Sequence, residues 1–264
     1  MISIIIPAFN EEKGIADVLD KARKVMNSKG FRHEIIVVDD GSTDDTSKIL
    51  SDTKEIEVVR HPYNMGYGAS LKSGIKKAKG ELIVIADADG TYPVGEIPNL
   101  LEHISRYDMV VGARTGKNVK VPFFRKPAKF FLGALANFLT GRKIADLNSG
   151  LRVFRKGIAE EFFHLFPSGF SFTTTITLAC LTNDYSVRYV PIDYHSRKGK
   201  STIHPLKDFL GFTALIFRVV TFFRPLKMFS ALAFMMFLLA LAVFSYSFFV
   251  VGRVMDIATI VIAL

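Results

Sequence analysis

Two carboxylates, Asp87 and Asp89, stand two residues apart directly after a run of five apolar residues at 82–86. Acids this close repel one another unless a cation or hydrogen-bond donors stabilise them, and a Mg²⁺ or Mn²⁺ ion bridging a diphosphate does so. A metal held there would neutralise a departing nucleotide diphosphate. Asp-x-Asp also occurs in solvated turns and helix caps; its place after a buried strand favours the metal. A second acid pair, Asp39-Asp40, precedes Gly41-Ser42 and a helix start. Asp40 is expected to accept hydrogen bonds from a base or ribose, and Ser42 and Asp44 to cap the helix.

The elements that must position these groups are legible from periodicity. Four short runs rich in Ile and Val lie at 2–6, 35–38, 82–86 and 109–111, each bounded by polar or turn residues. Such runs read as strands buried on both faces. Residues 14–28 and 68–79 space their apolar positions by three and four, and 42–50 opens on capping residues, so helices are expected between the strands. Alternating strands and helices predict right-handed βαβ units and a mainly parallel, Rossmann-like α/β sheet. Each strand runs into a polar constellation: Pro7-Ala8-Phe9-Asn10-Glu11, Asp39-Asp40-Gly41-Ser42, Asp87-Ala88-Asp89 and Gly112-Ala113-Arg114. Ligands of open α/β sheets bind beyond the carboxyl ends of the strands, so the four constellations converge on one edge.

Composition narrows the class further. The chain has 264 residues and a formal charge of +9, enough for one sizeable α/β domain with an appendage and suggestive of an anionic partner. Its single cysteine, Cys180, sits among small apolar residues and reads as a buried hydrophobe in a reducing compartment. Residues 2–6 are too short for a signal peptide, which predicts a cytosolic N-terminal domain.

The openings Ile-Pro-Ala-Phe-Asn-Glu and Val-Val-Asp-Asp-Gly-Ser, with Asp-Ala-Asp some fifty residues later, resemble family 2 of the inverting glycosyltransferases. Within it the chain is most similar to the dolichol- or polyprenyl-phosphate sugar synthases. The shared features are Arg125-Lys126, Asp146-x-x-Ser149-Gly150 and the loop Arg197-Lys198-Gly199-Lys200-Ser201. The resemblance implies a GT-A fold over residues 1–204. Pro7, Phe9, Glu11, Val38 and Asp40 would surround the base and ribose. Asp87, Ala88 and Asp89 would meet the diphosphate, the two acids holding Mg²⁺ or Mn²⁺. Arg114 would reach the phosphates or the acceptor, Arg125 would bind the lipid phosphate, and Arg197 with Lys200 would close over the donor. Asp146 would orient donor or acceptor at the reacting centre. Two positions depart from the family pattern: Thr91 stands where Gln is common, and Thr202 where Lys is common.

Other stretches suit a membrane. Between Arg114 and Leu132 lie six Arg or Lys residues without an acid, interleaved with Phe123, Phe124, Phe130 and Phe131. Stacked bases would suit this pattern, but a lipid headgroup surface suits it better, so nucleic acid is not the expected partner. In 205–227, Lys207, Gly211, Ala214, Arg218 and Thr221 recur at spacings of four, three, four and three, predicting an amphipathic interface helix. Residues 228–252 carry no charge and are long enough to span a bilayer, while 257–264 read as the start of a second span, cut short by truncation. Arg218, Arg224 and Lys227 precede the span, which places the catalytic domain on the cytosolic face. Apolar membrane segments often associate, which leaves a homo-oligomer open. Processive synthases of the family carry Gln-x-x-Arg-Trp, and this chain has no tryptophan. A nucleotidyltransferase would show a Gly-rich loop after the first strand, and Asn64-x-Gly66-x-Gly68 has the wrong spacing for a dinucleotide fingerprint. Both Asp87 and Asp89 remain, against a catalytically silent scaffold.

Overall fold

A computed structural model of the chain describes residues 1–116, 126–169, 171–195, 205–223 and 225–251. They form two compact units, Met1–Val219 and Val220–Leu264. The first unit is built on one seven-stranded sheet, ordered β3-β2-β1-β4-β6-β5-β7. Its strands are β1 (Ile2–Ala8), β2 (His33–Asp39), β3 (Glu57–Arg60), β4 (Leu82–Ile85), β5 (Met109–Ala113), β6 (Arg152–Arg155) and β7 (Val187–Pro191). The helices are α1 (Ile15–Ser28), α2 (Thr46–Asp52), α3 (Tyr67–Lys77), α4 (Ile97–His103), α5 (Lys126–Thr140), α6 (Lys156–Glu161), α7 (Phe172–Thr182), α8 (Pro205–Phe223) and α9 (Pro225–Tyr246).

The four apolar runs are β1, β2, β4 and β5, and they lie parallel, as doubly covered Ile/Val strands do. Every residue of β1 is buried. On one face α1 buries Ile15, Val18, Leu19, Ala22 and Met26 against Ile4, Ile6 and Val84. Each large side chain so buried contributes about 1.5–3 kcal/mol before ordering entropy is subtracted.

Three strands escape the pattern of apolar runs. β3 and β7 are edge strands with half-exposed residues, and β6 begins and ends on arginine. β6 matters most for the site because it is antiparallel to both β4 and β5, with Ile85 opposite Arg152 and Val111 opposite Arg152. Its entrance therefore lies at the edge where β4 and β5 end. Residues 146–150 reach the same edge as Asp87 and Arg114 although they precede their strand rather than succeed it.

Cys180 is wholly buried in α7, and burial pushes its thiol up to about 12. Native protein should resist maleimide at neutral pH over a time in which guanidinium-unfolded chain is fully labelled. Rapid native labelling would contradict the packing of α7.

Helix α8 exposes Gly211, Ala214 and Arg218 and buries Ile216 and Val219, and it exposes Phe217 and Phe222 as well. In the second unit α9 continues into a π-helical turn, Ser247–Val251. Residues Met228–Phe249 have a mean hydropathy of 2.3, and Phe229, Phe234, Phe237, Leu241 and Phe248 are all exposed. At ~1.5 Å per residue such a helix matches a hydrocarbon core of about 30 Å. It is the one helix among the described residues long and apolar enough to cross a membrane. The second span read at 257–264 lies outside the described residues.

Candidate active site at the carboxyl edge of the sheet

The acid pair follows the end of β4 at Ile85, Asp87 one residue beyond Ala86 and Asp89 in the turn after it. The Tyr67 hydroxyl, at the first turn of α3, donates to Asp87 Oδ1 at 2.9 Å. Burial, reinforced by the Asp87 charge, pushes the Tyr67 phenol well above its ordinary range, so it remains a donor. On the other flank lies Gly150, where a Cβ would fall 2.3 Å from Asp87 Oδ2. Asp89 is held differently: its Oδ1 accepts from the Thr91 amide at 3.0 Å and the Thr91 hydroxyl at 2.7 Å. Thr91, one of the two residues that depart from the family pattern, is wholly buried and serves this turn. Ala88 between the acids is buried, with Gly14 of the α1 entrance packed against its carbonyl.

Gly150→Ala is expected to cost about 1–3 kcal/mol by overpacking, read as a lowered melting temperature. An unchanged melting temperature would mean that Asp87 has another position open to it.

Two carboxylates are too few for a closed metal cage, and among the described residues no group of three or more His, Cys, Asp or Glu could hold one. Two hard oxygens do suit a Mg²⁺ or Mn²⁺ ion whose other ligands are substrate phosphates and water. The donor set thus fits a cation that arrives with a diphosphate.

The loops after β1 and β2 are stitched together. Asn10, at φ 56°, accepts the Thr43 amide at 2.8 Å through Oδ1, and its own amide donates to Ser42 Oγ at 3.1 Å. The Glu11 amide donates to Thr46 Oγ1 at 2.9 Å. Ser42 therefore ties two loops together and does not cap α2, contrary to the expectation from its position. Asp44 does serve the helix start, accepting the Thr46 amide at 3.0 Å. Gly41, at φ 72°, lets the chain turn directly beneath Tyr63 and Asn64.

Asp40 is buried and accepts from the amides of Met65 and Gly66 at 2.9 and 2.8 Å. His61 Nδ1 lies 2.6 Å from its Oδ1, and His61 Nε2 lies 2.9 Å from Ser73 Oγ. In this structure the carboxylate holds the loop at 61–66. Phe9 is exposed at the edge, Pro7 is buried, and Val38 is wholly buried with its Cγ2 near Gly74 of α3. Phe9 offers a face to solvent, whereas the Val38 side chain belongs to the core.

Arg114 and Asp146 form the densest electrostatic feature of the edge. Arg114 Nε donates to Asp146 Oδ2 at 2.7 Å and its Nη2 to Oδ1 at 2.8 Å. The amides of Arg114 and Asn148 add donors at 3.0 and 3.2 Å. Burial alone would lower the Arg114 pKa; the hydrogen bonds to Asp146 outweigh it and hold the guanidinium above its ordinary range. The Tyr194 ring lies 5.4 Å from the guanidinium carbon, and Tyr92 packs edge-on against Tyr194 at 5.2 Å. With four donors on two oxygens, Asp146 is a support for Arg114 and a poor proton acceptor.

The structure thus gathers Asp87, Ala88, Asp89, Arg114 and Asp146 at one edge, with Phe9, Glu11 and Asp40 on the neighbouring strand ends. Arg125, Arg197 and Lys200 lie outside the described residues. Tyr67, Tyr92, Tyr194 and His61 went unread in the sequence, because their roles come from contacts between segments far apart in the chain. Only Tyr67, directly after Gly66 at a helix entrance, carried a local signal.

The fold and the acid-bearing edge define the class: a GT-A protein with a Rossmann-like, mainly parallel sheet. Residues 3–163 match the family described as Glycosyl transferase family 2. The chain belongs to that family. The undecaprenyl-phosphate 4-deoxy-4-formamido-L-arabinose transferase of Proteus mirabilis is 33% identical over 164 residues, covering 60% of this chain and 50% of that protein. The low-salt glycan biosynthesis hexosyltransferase Agl6 of Haloferax volcanii is 27% identical over 213 residues, covering 78% and 51%. The chain spans about half the length of these curated relatives. Among solved structures, glucosyl-3-phosphoglycerate synthase from Mycobacterium tuberculosis with UDP superposes at a TM-score of 0.65 and 19% identity, covering 83% of this chain and 80% of that one. TarS of S. aureus superposes at 0.60 and 20%, covering 83% and 65%.

Proposed function

We propose that the chain transfers a sugar from a UDP- or GDP-hexose to a polyprenyl or dolichyl phosphate, with inversion, at the cytosolic face of a membrane. The observation that carries this reading is the pairing, at one sheet edge, of a two-carboxylate site with an arginine pinned by Asp146. One group suits a metal-bound diphosphate and the other a phosphate. Support comes from relatives named for undecaprenyl-phosphate transfer. Mn²⁺ and UDP occur together in a neighbouring structure of the same fold. The apolar helix Met228–Phe249 supplies a membrane anchor in the same chain, and the cations before it favour the cytosolic side.

Asp87 and Asp89 would hold Mg²⁺ or Mn²⁺, which would neutralise the charge of a departing nucleotide diphosphate. Tyr67 and Thr91 fix the two carboxylates so that little reorganisation accompanies the reaction. Pro7, Phe9, Glu11, Val38 and Asp40 form the base and ribose side of the pocket, Val38 and Asp40 by shaping it from beneath. A lipid monophosphate has a second pKa of about 6, by analogy with a phosphorylated side chain, and is largely dianionic at neutral pH. No strong base is required. Arg114 and Arg125 bring that anion to the sugar, and Arg197 with Lys200 close over the donor. Helix α8, Pro205–Phe223, lies in the headgroup layer.

Tyr67→Phe removes the hydroxyl that orients Asp87 and leaves the ring in place. It should raise the Mn²⁺ concentration needed for half-maximal activity about tenfold. No change would assign the orientation of Asp87 to other contacts.

The reading as a whole is tested by incubating membranes carrying the full chain with polyprenyl phosphate, Mn²⁺ and radiolabelled UDP- and GDP-sugars. Label in the organic phase that disappears with EDTA supports it. Nucleotide binding without any lipid-linked product would contradict the acceptor assignment.

A further inference from the structure

Arg152 opens β6 and is wholly buried. The hydrogen-bond partners of its guanidinium are neutral groups. Nε donates to the Ser149 carbonyl at 3.1 Å, and Nη2 donates to the same oxygen. Nη1 donates to the Thr173 carbonyl and to Thr177 Oγ1, both at 3.0 Å. Burial lowers its pKa, which expresses the cost of keeping the charge there. A buried cation bonded only to neutral groups is expensive, and an apolar side chain of the same length would pack at lower cost. What offsets that cost is read from what the guanidinium holds in place.

The fork holds the segment 146–150, on which the two halves of the site meet. Asp146 clamps Arg114. Asn148 Oδ1 accepts from Thr174 Oγ1. Ser149 Oγ donates to the Gly112 carbonyl on β5. The Gly150 amide donates to Tyr92 Oη at 2.8 Å, and the Cα of Gly150 lies against the Asp87 carboxylate. One short segment thereby sets both Asp87, just beyond β4, and Arg114, just beyond β5. Arg152 grips the backbone of that segment from below, twice at Ser149, while bracing against α7.

We propose that Arg152 is a positioning residue of the transferase: by fixing the Ser149 carbonyl it sets the separation between the acid pair and Arg114. This rests on the transferase reading of the site. The contrasting role, a bolt that merely joins β6 to α7, predicts a loss of stability and nothing at the site.

The test compares Arg152→Met with Thr177→Val in the full-length chain. Thr177→Val removes one of the two α7 contacts of the fork and leaves the Thr173 carbonyl and both contacts to Ser149. Three quantities are read beside the melting temperature: nucleotide-binding sites per chain for UDP and GDP, Mn²⁺ affinity of the nucleotide-loaded chain from the paramagnetic resonance of free Mn²⁺, and turnover per nucleotide site. Arg152→Met is expected to keep its nucleotide affinity, weaken Mn²⁺ about tenfold and lower turnover per site by on the order of 10²-fold. Thr177→Val should lose stability alone. If Arg152→Met fails to fold, Arg152→Lys carries the same readouts, since an ammonium cannot reproduce the fork. Native Mn²⁺ affinity and native turnover per site in the folded variant would overturn the proposal. A wild-type chain that binds Mn²⁺ with nucleotide yet transfers no sugar would sink the functional reading instead, and the Mn²⁺ measurement would still decide the role of Arg152.

Discussion

Asp89→Asn should leave a folded protein with transfer lowered by ~10³-fold, the size of effect expected when a developing negative charge loses its fixed electrostatic support. Asparagine keeps an oxygen to accept from Thr91, whose amide and hydroxyl both bind Asp89 Oδ1. The turn after β4 therefore survives, and the melting temperature should move by no more than a few degrees, about the worth of one hydrogen bond. The negative charge disappears, and with it Mn²⁺ binding in the presence of nucleotide. Calorimetric titration of Mn²⁺ into nucleotide-loaded protein checks the second half directly. A variant that binds Mn²⁺ normally and transfers sugar would reduce Asp89 to a turn-former.

Asp146→Asn should act on stability and turnover together. The carboxylate is 2% exposed and Arg114 21%, so the amide would leave a largely buried guanidinium without its counter-charge. Breaking one side of such a pair costs about 3–5 kcal/mol. Displacement of Arg114 by ~1 Å would lower turnover by on the order of 10²-fold. Arg114→Met should reproduce most of the activity loss. The double variant Arg114→Met, Asp146→Asn should be far less impaired than the sum of the single effects, because both singles remove one unit. A general base at Asp146 predicts otherwise: turnover would fall with a changed pH profile, Arg114→Met would add its own full effect, and the melting temperature would hold.

The parts of this site that were legible in the sequence share a physical cause. β1, β2, β4 and β5 are short runs of Ile and Val buried on both faces, and the groups after them must emerge at one edge of a parallel sheet. Phe9, Asp40, Asp87, Asp89 and Arg114 could therefore be placed by counting from a strand end. β6 defeats such counting. Its four residues, Arg-Val-Phe-Arg, carry charge at both ends, and its antiparallel direction reverses the rule, so the segment 146–150 reaches the site from before its strand. The partners of Arg152 on α7 and of Asp87 on α3 arise from contacts across long stretches of chain, for which spacing offers no signal. Ser42 shows the same limit from the other side: a residue type suited to capping was drawn instead to Asn10, thirty-two positions away.

The most direct measurement of the central claim compares acceptors at a fixed donor. Purified full-length chain, with Mn²⁺ and the donor it binds, would be offered a polyprenyl phosphate, the corresponding polyprenol, and 3-phosphoglycerate. Transfer to the polyprenyl phosphate alone, abolished by EDTA, is the predicted result. Transfer to 3-phosphoglycerate, or equal transfer to the uncharged polyprenol, would contradict an acceptor recognised as a membrane lipid phosphate.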